Sequence, residues 1–211
     1  MGWPATDRYE LPRAPGGLGF VQDVLNTQPT QHPRMPDLLA DLESAQLWLD
    51  VSLENWSVET GVRQSRVILS EDDLDKLRDL RADLNALVGY TGEGLGGPPL
   101  FPSASVAARV GPDGGVLLEP RGEGSRRVGA IVLIETFVAQ RLDTWRRLKV
   151  CRNDRCAVSF YDRSRNNSGV WHDARVCGNA INLRASRARK RQVQLSVAQH
   201  ARRAEDPSAD S

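Results

Sequence analysis

Apolar residues recur at three- and four-residue steps through much of the chain, which predicts a body built mainly of α-helices. The clearest stretch is 70–90, where Ser70 and Asp73 form an approximate capping box and acidic residues occupy the positive end of the helix dipole. Its apolar stripe consists of Leu74, Leu77, Leu84, Leu87 and Val88. We expect these residues to be buried core positions rather than a ligand site.

Three other stretches show related apolar patterns. Residues 37–52 predict a helix with Asp37 as its N-cap. Its apolar face consists of Leu38, Leu42, Ala45, Trp48 and Leu49. Residues 128–150 predict a long helix that runs directly into Cys151 and packs on the N-terminal body. Its apolar face consists of Ile131, Ile134, Val138, Leu142 and Trp145. Residues 17–27 predict a short helix or strand with four anchors, Phe20, Val21, Val24 and Leu25.

Glycine and proline mark where these elements stop. Residues 91–103 and 121–127 are predicted breaks, and between them 104–120 form two short strands joined by a Gly-Pro-Asp-Gly-Gly turn. Residues 1–17 are rich in proline and glycine, so we expect an arm that is disordered or lies over the surface. No internal repeat is visible.

Charge is distributed unevenly along a chain whose net charge is only +1. Residues 145–203 contain fifteen Lys and Arg against three acids, whereas residues 1–144 carry a net charge of −8. The tail 204–211 adds −3. A basic segment joined to an acidic body indicates a polyanion-binding end on a separate core. Alternatively, the two halves neutralise each other across an internal interface.

Composition restricts the class of protein. The chain has 211 residues with 40% hydrophobic and 26% charged content, which is ordinary for a soluble globular protein. It has no apolar run of about 20 residues and no secretory apolar region, so we expect no membrane contact. Three cysteines, an odd number, argue against a disulfide framework. We therefore expect a reducing, cytoplasmic location.

The three cysteines and a histidine have the spacing of a structural zinc site. They follow the pattern Cys151-x4-Cys156-x15-His172-x4-Cys177, in which each pair closes a small loop over an ion. Three thiolates and one imidazole suit Zn²⁺, and we expect one ion per chain. The few apolar residues between the pairs form too small a core to fold without metal.

Other interpretations of these residues stay open at this point. Cys151 and Cys156 could be a redox pair, although thiol oxidoreductases use a two-residue gap. Asp154, Asp173 or water could replace His172 as the fourth ligand, and an iron–sulfur cluster could also use three cysteines and a histidine. Four protein ligands would leave the ion no open position for catalysis. No phosphate loop, nucleophile elbow or paired catalytic carboxylates occur, so we do not expect an enzyme.

The stretch from Cys151 to Arg191 closely resembles the CGNR zinc finger. The match includes Phe160-Tyr161-Asp162, Ser164-Arg165-Asn166, Trp171 and Cys177-Gly178-Asn179. In similar proteins this finger follows an ABATE domain, in a group described as stress-induced transcription regulators of bacteria. The order of upstream elements is similar to that domain. The resemblance implies that the N-terminal domain senses a signal or contacts a partner.

The sequence departs from the family pattern at two positions. His172 stands where the family has its third cysteine, a replacement that zinc accepts because imidazole is also a ligand. Ala180 stands where the family has the arginine that ends its name. The contact that this arginine makes, either to nucleic acid or as a brace of the finger, is absent here.

The residues after Cys177 predict a basic helix that is oriented by the metal. We expect one stripe, Ile181, Ala185, Ala188 and Leu195, to pack on the finger or on the long helix. The opposite stripe is rich in arginine, whose planar fork pairs with guanine edges and phosphates. Loop residues before the helix could add phosphate contacts. The candidate DNA contacts are Arg163, Arg165, Asn166, Asn179, Arg184, Arg187, Arg189, Lys190 and Arg191.

Together these patterns predict an α+β protein that is mostly α. A helical, ABATE-like domain with a small antiparallel hairpin (18–149) precedes a treble-clef-like zinc module with a basic helix (150–203). The arm 1–17 and the acidic tail 204–211 flank them. We expect a zinc-dependent transcription regulator that binds double-stranded DNA in the nucleoid, with a homodimer and a contact to RNA polymerase as further possibilities. The alternative is an adaptor that binds protein or RNA through the finger.

Overall fold

The computed structural model describes residues 2–31, 34–89 and 103–205, with side chains described as far as residue 196. These residues are mostly helical and contain three small antiparallel hairpins, as predicted for the fold class. The chain divides into two compact units, Met1–His172 and Asp173–Ser211. This division differs from the domain boundary predicted between residues 149 and 150, because the first zinc-site residues are packed into the first unit.

The first unit contains five α-helices and three strand pairs within its described residues. The helices are α1 (Pro4–Asp7), α2 (Leu18–Leu25), α3 (Leu42–Thr60), α4 (Glu71–Gly89) and α5 (Gly124–Arg141). The strands are β1 (Thr30–Gln31), β2 (Arg34–Met35), β3 (Val106–Val110), β4 (Val116–Pro120), β5 (Leu148–Val150) and β6 (Ser159–Tyr161). A 3₁₀ turn, Trp145–Arg147, joins α5 to β5.

Helix α2 lies at the centre of the first unit, where all eight of its residues are buried. The predicted short element at 17–27 is therefore a helix. Its neighbours include the N-terminal residues, because Trp3 is only 3% exposed and meets the Phe20 ring edge-on at 6.3 Å between centroids. Ala5 and Ala14 are also buried. The expectation of a disordered or superficial arm is wrong, because these apolar residues complete the core.

The N-cap of helix α3 lies four residues later than predicted. The cap is Asp41, whose carboxylate accepts a hydrogen bond from the Ser44 N–H at 2.8 Å. Asp37 instead pairs with the buried Arg81 of α4, at 2.7 Å, and so joins two elements. The helix ends at Thr60 and is followed by Gly61, whose φ of 69° is the left-handed conformation that favours glycine. The local sequence pattern does not show which of the two nearby aspartates, Asp37 or Asp41, caps the helix and which pairs with Arg81.

Helix α4 begins as predicted. The Asp73 carboxylate accepts hydrogen bonds from the N–H and hydroxyl of Ser70, at 2.9 and 2.8 Å. The same carboxylate also accepts from the N–H and hydroxyl of Ser125, at 2.9 and 2.6 Å, and so links the starts of α4 and α5. Burial raises the pKa of Asp73, but these hydrogen bonds outweigh it and lower the pKa to about 2. Leu74, Leu77 and Leu84 are buried, as predicted.

The hairpin predicted at 104–120 is confirmed, with Val110 opposite Val116 and Val106 opposite Pro120. Helix α5 begins at Gly124, four residues before the predicted start. A Cβ at Gly124 would clash with the Asp73 carboxylate, so the capping contact requires glycine there. The helix ends at Arg141, and Leu142 is 68% exposed rather than part of the apolar face. The predicted continuous helix into Cys151 is therefore wrong.

In the second unit, a π-helical turn (Ala174–Gly178) leads into the long helix α6 (Asn179–Glu205). The carboxylate of Asp173 caps the turn by accepting from the N–H groups of Arg175 and Val176, at 2.7 and 3.2 Å. The predicted basic helix is therefore present. Apart from its first two residues, the predicted acidic tail 204–211 lies outside the described residues, as does the break at 91–103 except for Ser103.

Candidate metal centre

The β5–β6 hairpin positions the first two cysteines. Lys149 lies opposite Phe160, and the N–H of Cys151 donates to the Val158 carbonyl at 2.8 Å, which closes the loop between the strands. Within that loop the N–H of Cys156 donates to the Asn153 carbonyl at 2.8 Å. Both thiols are therefore fixed by backbone hydrogen bonds of a short hairpin, as expected for a four-residue gap between ligands.

The third and fourth ligands come from residues that follow the hairpin. The N–H of Arg152 donates to the Val170 carbonyl at 2.9 Å, which brings the returning chain beside the first cysteine. His172 Nδ1 lies 3.2 Å from the Sγ of Cys156. The N–H of Cys177 donates to the Asp173 carbonyl at 2.9 Å, within the π-helical turn. A local hydrogen bond therefore positions Cys177, and the bond between Arg152 and Val170 positions the chain that leads to His172.

The four side chains form one cluster. The ligand atoms of Cys151, Cys156, His172 and Cys177 all lie within 4.8 Å of one another. A tetrahedral zinc ion with Zn–S bonds of about 2.3 Å places ligand atoms about 3.8 Å apart, so the cluster has the size that one ion needs. The three cysteines are buried and the histidine is half-buried. One Zn²⁺ is therefore the cofactor that the donor set fits.

The structure also supports thiolate character in the cluster. The Cys156 thiol donates a hydrogen bond that lowers the pKa of Cys151 well below its usual range, with burial opposing this and His172 adding to it. Thiolate is the form that binds zinc. Asp154 and Asp173 are not in the group of four ligands, so neither replaces His172 as the fourth one.

A partly buried ion pair braces the loop between the ligand pairs. The Lys149 ammonium donates to Asp162 Oδ2 at 2.7 Å and to the carbonyls of Asn167 and Gly169, at 2.7 and 3.0 Å. Asp162 also accepts from the Ser164 N–H at 2.8 Å and the Gly169 N–H at 2.7 Å. Burial opposes ionisation, but these donors hold the pKa of Asp162 well below its usual range. The aspartate of the Phe-Tyr-Asp motif is thus a structural residue.

Asn26 and Gln28 of the N-terminal body hold the hairpin, and no sequence pattern marked either residue. The Asn26 side chain forms two hydrogen bonds with the backbone of Ser159 in β6, and Gln28 Nε2 donates to the Ala157 carbonyl. Leu148 of β5 belongs to the core of the body. The cysteine hairpin is consequently an integral part of the first unit.

The candidate DNA contacts fall into two groups. In the first unit, Arg165 and Asn166 are exposed in the braced loop, while Arg163 is exposed and donates to the Arg13 carbonyl at 3.0 Å. In the second unit, Arg184 is half-buried. The exposed candidates of that unit are Asn179, Arg187, Arg189, Lys190 and Arg191.

The predicted packing stripe of α6 is only partly present. Ile181 and Ala185 are half-buried, but Ala188 is exposed and Leu195 is 58% exposed. Every residue from 187 to 196 is exposed, so this part of the helix has no buried face. The prediction that Ala188 and Leu195 pack on the protein is wrong, because a helical apolar pattern does not guarantee that a partner surface exists.

The fold and this centre define a mostly helical protein with a zinc-finger module towards its C-terminus. Residues 147–190 match the family model of the CGNR zinc finger. The matched segment contains all four ligands, the braced loop and the first twelve residues of α6. No curated protein matches the chain. Among the described residues, no helix has the length and apolar content that crossing a bilayer would require.

Proposed function

We propose that this protein is a zinc-dependent transcription regulator whose helix α6 binds the major groove of DNA. The observation that carries the proposal is the run of cations on an entirely exposed part of that helix. Arg187, Arg189, Lys190 and Arg191 are exposed and form no ion pair with any residue that the structure describes. Unpaired cations beside a zinc finger are available for phosphates and base edges.

The zinc site would act by orientation. Cys177 lies in the turn that leads into α6, so coordination of its thiolate fixes the first turn of the helix. An arginine on a fixed helix can present its planar fork to guanine or to phosphate with little further loss of entropy. Arg163, Arg165 and Asn166 in the braced loop, and Asn179 and Arg184 near the start of α6, would add contacts that set the register.

The wider role also belongs to the proposal. We infer that residues 18–149 are an ABATE-like domain that senses a signal or contacts a partner, and that the protein acts at the nucleoid in the cytoplasm rather than as an enzyme. Bacterial operators are commonly palindromic, so binding as a homodimer would match two half-sites. A contact with RNA polymerase is the other route by which such a protein could control transcription.

The test is selection of bound fragments from random-sequence DNA by the zinc-loaded chain, with and without chelator, followed by salt titrations on a selected site. We expect sequence preference that requires zinc and an affinity that falls steeply with salt. Arg187→Ala and Arg191→Ala should each weaken binding by about 1–3 kcal/mol or lower the salt slope by about one. Arg141→Ala, an exposed arginine at the end of α5, is the matched control.

A second candidate is an adaptor that binds RNA or protein through the finger. The half-buried Ala180, at the position of the family arginine, favours it, because a contact of that arginine is absent. Ala180→Arg distinguishes the two functions. If the finger binds DNA, the variant should bind DNA more tightly, with a salt slope about one unit steeper. Unchanged weak, salt-sensitive binding without sequence preference in both proteins would favour the adaptor.

A further inference from the structure

The first unit contains a cavity whose lining residues include none of the four zinc-site residues. It has a volume of about 560 Å³ and is bordered by α4, α5, the end of β4 and residues 103–105. This volume is within the range of small-molecule sites in proteins, about 300–1,000 Å³. Its lining includes Lys76, Asp79, Leu80, Asp83, Arg126 and Gly129.

Gly129 keeps the cavity open. It lies inside α5, where glycine is less favourable than alanine because it loses more backbone entropy on folding. Close packing does not require it, since a Cβ at this position would meet no atom within 4 Å. The absence of a side chain at Gly129 therefore leaves empty space in the wall of the cavity. It does not serve to let a neighbouring helix or strand pack closely against α5. Any large side chain at this position would take up that space.

The cavity combines opposite charges with an apolar surface. Asp79 and Asp83 lie one helical turn apart on α4, about 6 Å along its axis, where like charges repel. Neither forms an ion pair within the described part of the chain, and the same is true of Arg126 on α5. Leu80, which is 4% exposed, lies between the two aspartates in sequence and supplies apolar surface. A ligand that bridges the helices would meet two aspartates and the Lys76 ammonium on α4, and the Arg126 guanidinium on α5.

We propose that this cavity binds a small zwitterion with an apolar body, of about dipeptide size. Its ammonium would pair with Asp79 and Asp83, its carboxylate would pair with Arg126, and its apolar side chains would contact Leu80 and the space beside Gly129. An extended dipeptide spans about 7 Å, which is comparable to the roughly 8–10 Å between the axes of two packed helices. The ligand would complete charge pairs that the chain itself leaves open, and it would give the N-terminal body a binding function separate from the finger.

The test is calorimetric titration of the zinc-loaded full chain with L-leucyl-L-leucine. Two matched probes each lack one charge: N-acetyl-leucyl-leucine has no ammonium and leucyl-leucinamide has no carboxylate. We expect one dipeptide per chain and roughly fivefold weaker binding of either derivative, because Asp79 and Arg126 are exposed, Asp83 is half-buried, and an ion pair of exposed groups contributes little. Equal binding of all three probes would overturn the zwitterion assignment.

Variants locate the site. Gly129→Leu should abolish dipeptide binding by filling the cavity, whereas Ala82→Leu, on the exposed side of α4, should retain it. Asp83→Asn should weaken leucyl-leucinamide and leave N-acetyl-leucyl-leucine unchanged, and Arg126→Gln should do the reverse. Asp83→Asn and Arg126→Gln test the zwitterion assignment even if Gly129→Leu fails to fold. Absence of binding by leucyl-leucine and other aliphatic dipeptides at millimolar concentration, or affinities that ignore these substitutions, would overturn the proposal.

Discussion

Asn26 and Ser159 form a buried, two-bond junction between the N-terminal body and the cysteine hairpin. Asn26 Nδ2 donates to the Ser159 carbonyl at 2.9 Å, and the Ser159 N–H donates to Asn26 Oδ1 at 2.8 Å. Both residues are fully buried. The side-chain amide of Asn26 thus pairs with both the N–H and the carbonyl of Ser159, as a neighbouring strand would. The two residues are 133 positions apart in sequence.

Asn26→Leu should destabilise the whole first unit. Leucine has a similar size but cannot bond, so a buried N–H and a buried carbonyl of Ser159 lose their partner. We expect the free energy of unfolding to fall by about 2–4 kcal/mol in urea titrations monitored by circular dichroism. The control is Asn85→Leu, which removes one local hydrogen bond to the Arg81 carbonyl and should cost less than about 1 kcal/mol. Similar losses of unfolding free energy in both variants would contradict a special stabilising role for the two hydrogen bonds between Asn26 and Ser159.

Metal analysis should find about one zinc per chain, bound by the four clustered residues. Cys156→Ser and His172→Ala should lose zinc, because each removes one of four ligands, and chelator should lower the melting temperature of the native protein. His172→Cys should retain zinc, since thiolate is an equally suitable ligand. Asp154→Asn is the control and should bind zinc normally. Loss of zinc in that variant would mean that a carboxylate completes the site.

Asp162→Ala tests whether the motif aspartate is structural. Its removal leaves the Lys149 ammonium without its carboxylate and two N–H groups without acceptors, in a region where the Asp162 side chain is only 4% exposed. We expect a loss of about 3 kcal/mol in the free energy of unfolding. Arg165→Ala, an exposed change in the same loop, should alter stability by less than about 0.5 kcal/mol. Near-wild-type stability of Asp162→Ala would contradict a structural role for this aspartate.

Asp23 should give the protein an unusual pH dependence. Its carboxylate accepts from the Thr6 N–H at 2.7 Å and from Trp48 and Ser52 at 2.8 Å, but complete burial raises its pKa from 3.8 to about 6. Since the folded state holds this proton more tightly than the unfolded state, the stabilisation is fully present below about pH 4. It is lost as the pH rises through about 6, by about 3 kcal/mol in total.

The carboxyl ¹³C shift of Asp23, assigned by comparison with Asp23→Asn, measures this pKa directly. We expect a midpoint near pH 6. The difference in unfolding free energy between native protein and variant should also decline between roughly pH 4 and pH 7. A midpoint at or below the ordinary value of 3.8 would show that the three donors outweigh burial.

Several parts of the fold and site follow from local sequence. The ligand spacing predicted the cluster, because four-residue gaps can close only small loops and so bring Cys151 beside Cys156 and His172 close to Cys177. Helix α4 and the β3–β4 hairpin were predictable for the same reason, since an apolar stripe, a capping box and a glycine-rich turn act over a few residues. The two aspartates near α3 were not distinguishable, because one of them serves Arg81 of another helix.

The sequence by itself determined which residues could hold zinc, where the strongest helix and hairpin form, and that the basic residues concentrate near one end. Only the tertiary structure decided that Trp3 enters the core, that Asp73 links the starts of two helices, and that Asn26 carries the cysteine hairpin. It also decided that α6 is exposed around its whole circumference from residue 187 to 196. Each of these outcomes depends on which distant surfaces meet, and periodicity and spacing along the chain contain no information about that pairing.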